Sequence, residues 1–200
     1  MLHGIFHGYN IGQLEEGGLQ HHIGAVAQPQ GLRLLIGIDD VAYGECLLEA
    51  IQTAFLDEKD IQNVGLIYNG EINSKRAAAV ESALCQNYNL QIADRASSNI
   101  FDTSDQVKEL VINCEDLQVI CCTDDNTTQG AAQAVIDWNM VSRLHIVGTG
   151  NSENVLSMVE KGIISATVAI DYQNIGRKTL EALYYSYNGW GVFSKSFRNQ

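Results

Sequence analysis

The sequence predicts an α/β fold, a three-layer doubly wound and mostly parallel six-stranded sheet, on three observations. Six short apolar runs rich in β-branched residues recur along the chain: Leu32–Ile38, Val64–Tyr68, Leu90–Ala93, Leu117–Cys122, Leu144–Gly148 and Ala166–Ile170. Segments with a helical period separate them. The runs are continuously apolar rather than alternating, which is the signature of strands covered by helices on both faces.

The helices follow from spacing at i, i+3, i+4 and i+7. Leu47, Leu48, Ile51, Ala54 and Phe55 share one face. Ala77, Val80, Ala83 and Leu84 share the next, with Ser74 as its N-cap. Val107, Leu110, Val111 and Cys114 follow Thr103 and Ser104, which signal a helix start. Ala131, Ala132, Val135 and Ile136 make a fourth face. Val155, Leu156 and Val159 make a short fifth, stopped at Gly162. Gly176, Leu180, Leu183, Tyr184 and Tyr187 make the last, ended by Asn188-Gly189.

Residues 1–30 read differently. They hold Pro29, the only proline, and four of the five histidines, and carry no Lys or Arg. They show neither period, nor the basic and apolar regions of a secretory signal. Gly4 and Gly8 interrupt any helix that would pair His3 with His7 as metal ligands. The division is therefore a leader at 1–30, the alternating domain at 31–190 and a tail at 191–200.

Composition excludes several functions. With 24 Asp and Glu against 12 Lys and Arg in 200 residues, the formal charge is −12, which leaves no basic surface for nucleic-acid phosphates. No run reaches the roughly 18 apolar residues of a membrane span. The five cysteines, Cys46, Cys85, Cys114, Cys121 and Cys122, form no CxxC and no zinc spacing, and each sits in an apolar stretch as a small buried hydrophobe. Enzyme signatures are missing too. Gly148-Thr149-Gly150 lacks the third glycine of a dinucleotide loop, and no nucleophile elbow or Walker loop occurs. His145 lies in a strand rather than beside a nucleophile. Asp39/Asp40 and Asp124/Asp125 could bind Mg²⁺ with a phosphate substrate, but no phosphate cradle accompanies them. No cofactor is implied.

In open α/β sheets ligands bind beyond the carboxyl ends of the strands. Here those positions are Asp39-Asp40, Tyr68–Glu71 with Arg76 beyond, Arg95 to Asn99, Thr123–Asp125, Thr149–Asn151 and Asp171-Tyr172. Carboxylates, amides and arginine suit a hydroxyl-rich ligand, since a carboxylate accepts several hydrogen bonds and arginine donates a planar fork. Each has a competing structural role. Asp40 and Asp125 fit N-caps; Asp124 and Arg76 fit ligand contacts, with a cap and a salt bridge to Glu71 as their alternatives.

The order of these pieces resembles the C-terminal lobe of the type I periplasmic sugar-binding proteins. The resemblance runs through Ile36–Gly44, Ser74-Lys75-Arg76, Val119–Asp125 with Gly130-Ala131, Ile146-Val147-Gly148, Glu160-Lys161-Gly162, Ala166–Ala169, Ile175-Gly176 and Ala182-Leu183. It implies a carbohydrate-binding domain of an ABC-type sugar uptake or sensing system, outside the cytoplasmic membrane, with a permease or sensor kinase as partner. It places Arg76 and Asp124 on the ligand and points to Asp39, Asn151, Asp171 and Tyr172 beside it. Two positions depart from the pattern: the family's Gly-Phe-Asp is Gly148-Thr149-Gly150, and Ile170 stands where Gln or Asn is common. The first lobe of the clamp does not match, and Val192-Phe193 is all that resembles the C-terminal return strand. Affinity in such sites comes from burying roughly 70–90% of the ligand, so weak or no binding is expected of this chain alone. Trp190 and Phe193 are candidates for self-association. The alternatives are the effector lobe of a LacI-type regulator, which would need a DNA-binding headpiece, and a metal-dependent hydrolase.

Overall fold

The computed structural model describes residues 4–8, 26–28, 31–33, 38–55, 61–68, 70–93 and 100–188. In chain order the elements are β1 (Gly4–Gly8), β2 (Val26–Gln28), β3 (Gly31–Arg33), α1 (Asp40–Ala54), β4 (Asn63–Ile67), α2 (Gly70–Leu84), β5 (Asn89–Ile92), α3 (Ile100–Asn113), β6 (Val119–Cys122), α4 (Asp125–Asp137), β7 (His145–Thr149), α5 (Glu153–Glu160), β8 (Ala166–Ile170) and α6 (Tyr172–Tyr187). The chain divides into two compact units, Met1–Gly8 with Asp40–Ile170, and Tyr9–Asp39 with Asp171–Gln200.

The first unit is the predicted sheet. Six strands run in the order β1-β8-β7-β6-β4-β5, and every ladder is parallel. The helices α1 and α2 pack on each other, and α1 also meets β7 and β8. The helices α3, α4 and α5 form one core with Ile67, Ile120, Cys122, Ile146 and Ile164, and this core excludes α1 and α2. The sheet is thus wound on both sides. Side chains alternate across a strand, so Ile120 and Cys122 face α3 and α4 while Val119 and Cys121 face the other layer. All four are fully buried. This explains why the strands read as unbroken apolar runs.

Five of the six expected strands occupy their places. Of the run Leu32–Ile38, residues 34–37 lie outside the described residues. Only Gly31–Arg33 is a described strand there, and it pairs antiparallel with Val26–Gln28 in the second unit. The sixth place is taken by Gly4–Gly8, aligned from Gly4↔Ala166 to Gly8↔Ile170. An apolar run fixes the tendency to be a strand but not the neighbour, and an edge strand such as GIFHG needs little pattern of its own once a partner ladder exists.

Helix starts also moved. The helix α2 begins at Gly70, so Ser74 lies inside it, and α3 begins at Ile100, so Thr103 and Ser104 lie inside that one. The cysteines split by depth. Cys121 and Cys122 are buried, Cys46 and Cys114 half-buried and Cys85 exposed, so burial was right for two of five. His145 opens β7 half-buried, its ring 4.9 Å from that of Phe55. Trp190, Phe193, His3, His21, His22 and Arg95 lie outside the described residues.

The second unit has β2, β3 and α6. In α6 the predicted apolar face is present but not covered: Leu180 is 69% exposed, Leu183 62% and Tyr187 92%, while Ala182 is buried. Periodicity marks the face; it does not supply the surface to bury it.

Two predictions follow from the packing of the larger unit. A methyl group at Gly148 would fall inside the side chain of Thr128, so Gly148→Ala should lower stability by about 1–3 kcal/mol, and Thr128→Ala should relieve part of that loss in the double variant; urea denaturation measures both. Burial raises the thiol pKa of Cys121 and of Cys122. The unfolded chain therefore loses these protons first, and stability should be complete below about pH 8.5 and decline as pH rises above it. In a thiol-labelling assay on the native protein Cys85 should react first, and Cys121 and Cys122 only on unfolding.

Candidate functional site

The carboxyl ends of β6 and β7 lie side by side, and the chain leaves each of them through polar residues. After β6 come Thr123, Asp124 and Asp125; β7 ends at Thr149 and leads to Gly150, Asn151 and Ser152. Three side chains bind these ends together.

The first is Thr128, one turn into α4. Its hydroxyl accepts from the Thr149 amide at 2.9 Å and lies within donating distance of the carbonyls of Asp124 (2.7 Å) and Thr149 (3.0 Å). The second is Asp125. It receives Ser152 N at 3.3 Å, Ser152 Oγ at 3.0 Å and the Gln129 side-chain amide. Gly150 leaves the space for this carboxylate: its φ is 142°, and a Cβ there would overlap Asp125. The third is Tyr43, which enters from α1. Its hydroxyl shares a hydrogen bond with the Thr149 hydroxyl and reaches the Thr123 carbonyl at 3.4 Å. The phenol is 3% exposed, and burial pushes its pKa well up, so it stays a neutral hydrogen-bonding group.

Arg76 stands above Tyr43. Its guanidinium carbon is 4.8 Å from the ring centroid, a cation–π distance. Its Nε donates to Asp40 Oδ1 at 3.4 Å, the long end of hydrogen-bond range. Among the described residues this is its one acceptor, so both terminal nitrogens keep their protons available. Asp40 and Tyr43 are three residues apart on α1 and so share a face. The expected alternative partner, Glu71, has its side chain outside the described residues.

The cap of α4 falls to the other of the two acidic residues after β6. Asp124, not Asp125, is the N-cap of α4: its backbone is extended (φ −150°, ψ 166°) and its Oδ1 accepts from Thr127 N at 3.0 Å. Its Oδ2 is buried with no hydrogen-bond partner, and so is Oγ1 of Thr123. A buried acceptor left unpaired costs about 1–3 kcal/mol, so both atoms lack the partner that their burial calls for. Asp125 is inside the helix and fastens α4 to the start of α5. Ser152 in turn caps α5, accepting from Val155 N at 3.4 Å.

Of the residues expected at a site, Arg76, Asp124 and Asn151 belong to the first unit. Tyr43 links two of them, since it carries Arg76 on its ring and reaches the carbonyl preceding Asp124. Asn151 is exposed in the loop after β7. Asp39, Asp171 and Tyr172 belong to the second unit. There Asp39 is buried, Tyr172 is 61% exposed, and Asp171 caps α6, accepting from Asn174 N at 2.8 Å. Composition and strand ends did not point to Tyr43, Thr128 or Ser152, and marked Thr149 only as part of the loop after β7. Tyr43 left one legible sign: it lies four residues before Leu47 and eight before Ile51 on a buried face, where a tyrosine needs a partner for its hydroxyl. Among the described residues no group of three His, Cys, Asp or Glu is placed to hold a metal ion.

The cap separates two substitutions. Asp124→Ala should cost about 1 kcal/mol through loss of the cap, and Asp124→Asn only a few tenths. Chemical denaturation of the two variants checks this; equal losses would remove the cap as the reason for this residue.

Comparison with known proteins places these features. A family model described as a periplasmic binding protein domain matches residues 28–189. No curated protein matches the sequence. Among solved structures the chain is similar to XylFII (TM-score 0.63, 22% identity, covering 76% of this chain and 57% of that one), a protein also seen in an XylFII–LytSN complex. It is similar to GanP, a glucose-galactose binding protein from Geobacillus stearothermophilus (TM-score 0.65, 18% identity, 76% and 55%). It is similar as well to AraP, an arabinose binding protein from the same organism (TM-score 0.64, 20% identity, 79% and 55%). At these identities the likeness is one of fold. The chain spans about half the length of the structures it matches.

Proposed function

Because the chain belongs to the periplasmic binding protein domain family, we propose that it is the carbohydrate-binding part of a sugar uptake or sensing system. Its activity is binding without turnover, and its ligand is an uncharged polyol. The observation that carries this reading is the incomplete hydrogen bonding at the rim. Arg76 uses only Nε on the protein, and Asp124 only Oδ1. A donor fork and a buried acceptor oxygen are thus both left unpaired by the described residues, and a hydroxyl answers either, since it donates and accepts.

Charge narrows the class. Asp40 pairs with Arg76, and Asp124 adds a carboxylate that no described cation offsets. A phosphorylated or carboxylated sugar would meet that charge directly, whereas a neutral sugar would not. The sugars named for GanP and AraP are of the neutral kind. We assign Asn151, in the loop after β7 of the same unit, as a further contact. The whole enclosure takes more chain than is present here, as the matched structures do. The partner is a membrane permease or a sensor kinase; XylFII, to which the chain is similar, is itself seen in complex with a second protein, LytSN. The place of action is outside the cytoplasmic membrane; among the described residues no helix is long and apolar enough to cross one.

The test is a calorimetric and NMR titration of the full chain with aldopentoses, aldohexoses and their 6-phosphates. A neutral member should bind with a Kd of roughly a millimolar or weaker, as a half-enclosed site allows. Arg76→Ala should raise that Kd about tenfold or more, and the phosphates should bind at least about tenfold more weakly. A phosphate bound more tightly than every neutral sugar overturns the reading.

A further inference from the structure

We propose that Tyr43 is the positioning residue of the rim, fixing the direction of the Arg76 guanidinium and tying it to the strand end that carries Asp124. The inference rests on the carbohydrate reading for its ligand but on geometry alone for the positioning.

An arginine on a helix has a long flexible side chain and little reason to keep one direction; confining it costs rotamer entropy. Here two groups from one face of α1 hold it. Asp40 takes Nε, and Tyr43 lies under the guanidinium plane. With Nε occupied and the ring beneath, the terminal nitrogens are the edge left for a ligand. Tyr43 is itself held at its far end by Thr149 and by the Thr123 carbonyl. One rigid, buried side chain therefore spans from α2 to the ends of β6 and β7. A lysine at position 76 could not replace this arrangement, since an ammonium lacks both the plane and the Nε donor. A phenylalanine at 43 would keep the support for Arg76 and release the strand ends.

Two arms test this in the full chain. The first needs no sugar. The Arg76 Nε–H resonance, assigned by its loss in Arg76→Lys, should lie in the ring current of Tyr43. It should move to the position of an exposed arginine in Tyr43→Leu and exchange faster with water. It should stay in Tyr43→Phe, while the amide signals of Asp124 and Thr149 shift. An unchanged Nε–H in Tyr43→Leu overturns the proposal; should that variant not fold, unmoved amides of Asp124 and Thr149 in Tyr43→Phe overturn it.

The second arm uses whichever sugar binds the unaltered chain. Tyr43→Leu should raise Kd about tenfold, and its effect should largely vanish when Arg76 is already alanine, as expected for residues acting as one unit. Additive losses overturn the proposal. If no sugar binds, the first arm alone decides the positioning; a preference for phosphates defeats the carbohydrate reading and leaves the first arm standing.

Discussion

A parallel sheet ends in backbone groups that no neighbouring strand can satisfy, and in this protein that problem is solved at β6 and β7 by side chains from the helices. Thr128 from α4 bonds to the amide and carbonyl of Thr149, and Tyr43 from α1 reaches Thr123 and Thr149 from the opposite layer. Buried backbone groups must be paired, so both helices are committed to the same point of the sheet. The rest of the rim inherits its geometry from there. Gly148 is small because Thr128 needs the space, Gly150 because Asp125 does, and Arg76 has a fixed direction because Tyr43 has one.

The strands and helices of the larger unit were legible because their physics is local and redundant. Val119–Cys122 could be nothing but a buried strand, and Ala131, Ala132 and Val135 mark one helical face whatever the neighbours. What was not legible was pairing. Leu32–Ile38 has the composition of a central strand, whereas Gly4–Gly8 has no pattern and fills the edge. The site shows the same divide. Arg76 and Asp124 stood out because charged residues at strand ends are conspicuous. Tyr43 did not, because an aromatic on an apolar helix face reads as core until its hydroxyl is located. The choice of cap between Asp124 and Asp125 turns on one residue of helix boundary: the residue with extended backbone becomes the cap, and the next turns toward Ser152.

The electrostatics of the rim follow from the same choice. Asp125 is satisfied by three donors and is structural. Asp124 gives one oxygen to the fold and keeps the other unpaired. Arg76, opposite in charge, is partly neutralised by Asp40. A site of this kind distinguishes ligands by what they donate more than by net attraction, which suits recognition of hydroxyl groups by direction.

The pairing of β1 with β8 has a consequence for how the chain is made. Gly4 meets Ala166, and everything between them is synthesised in the interval. At about 5–20 residues per second the first strand waits roughly ten to thirty seconds for its only ladder. During that time the four strands β4 to β7 can be assembled from neighbours close in sequence, but the edge cannot. Closing so distant a pair is the slow class of folding event. The edge of β8 is therefore the last part of the sheet to be protected, and until β1 arrives it is open to strands of other chains.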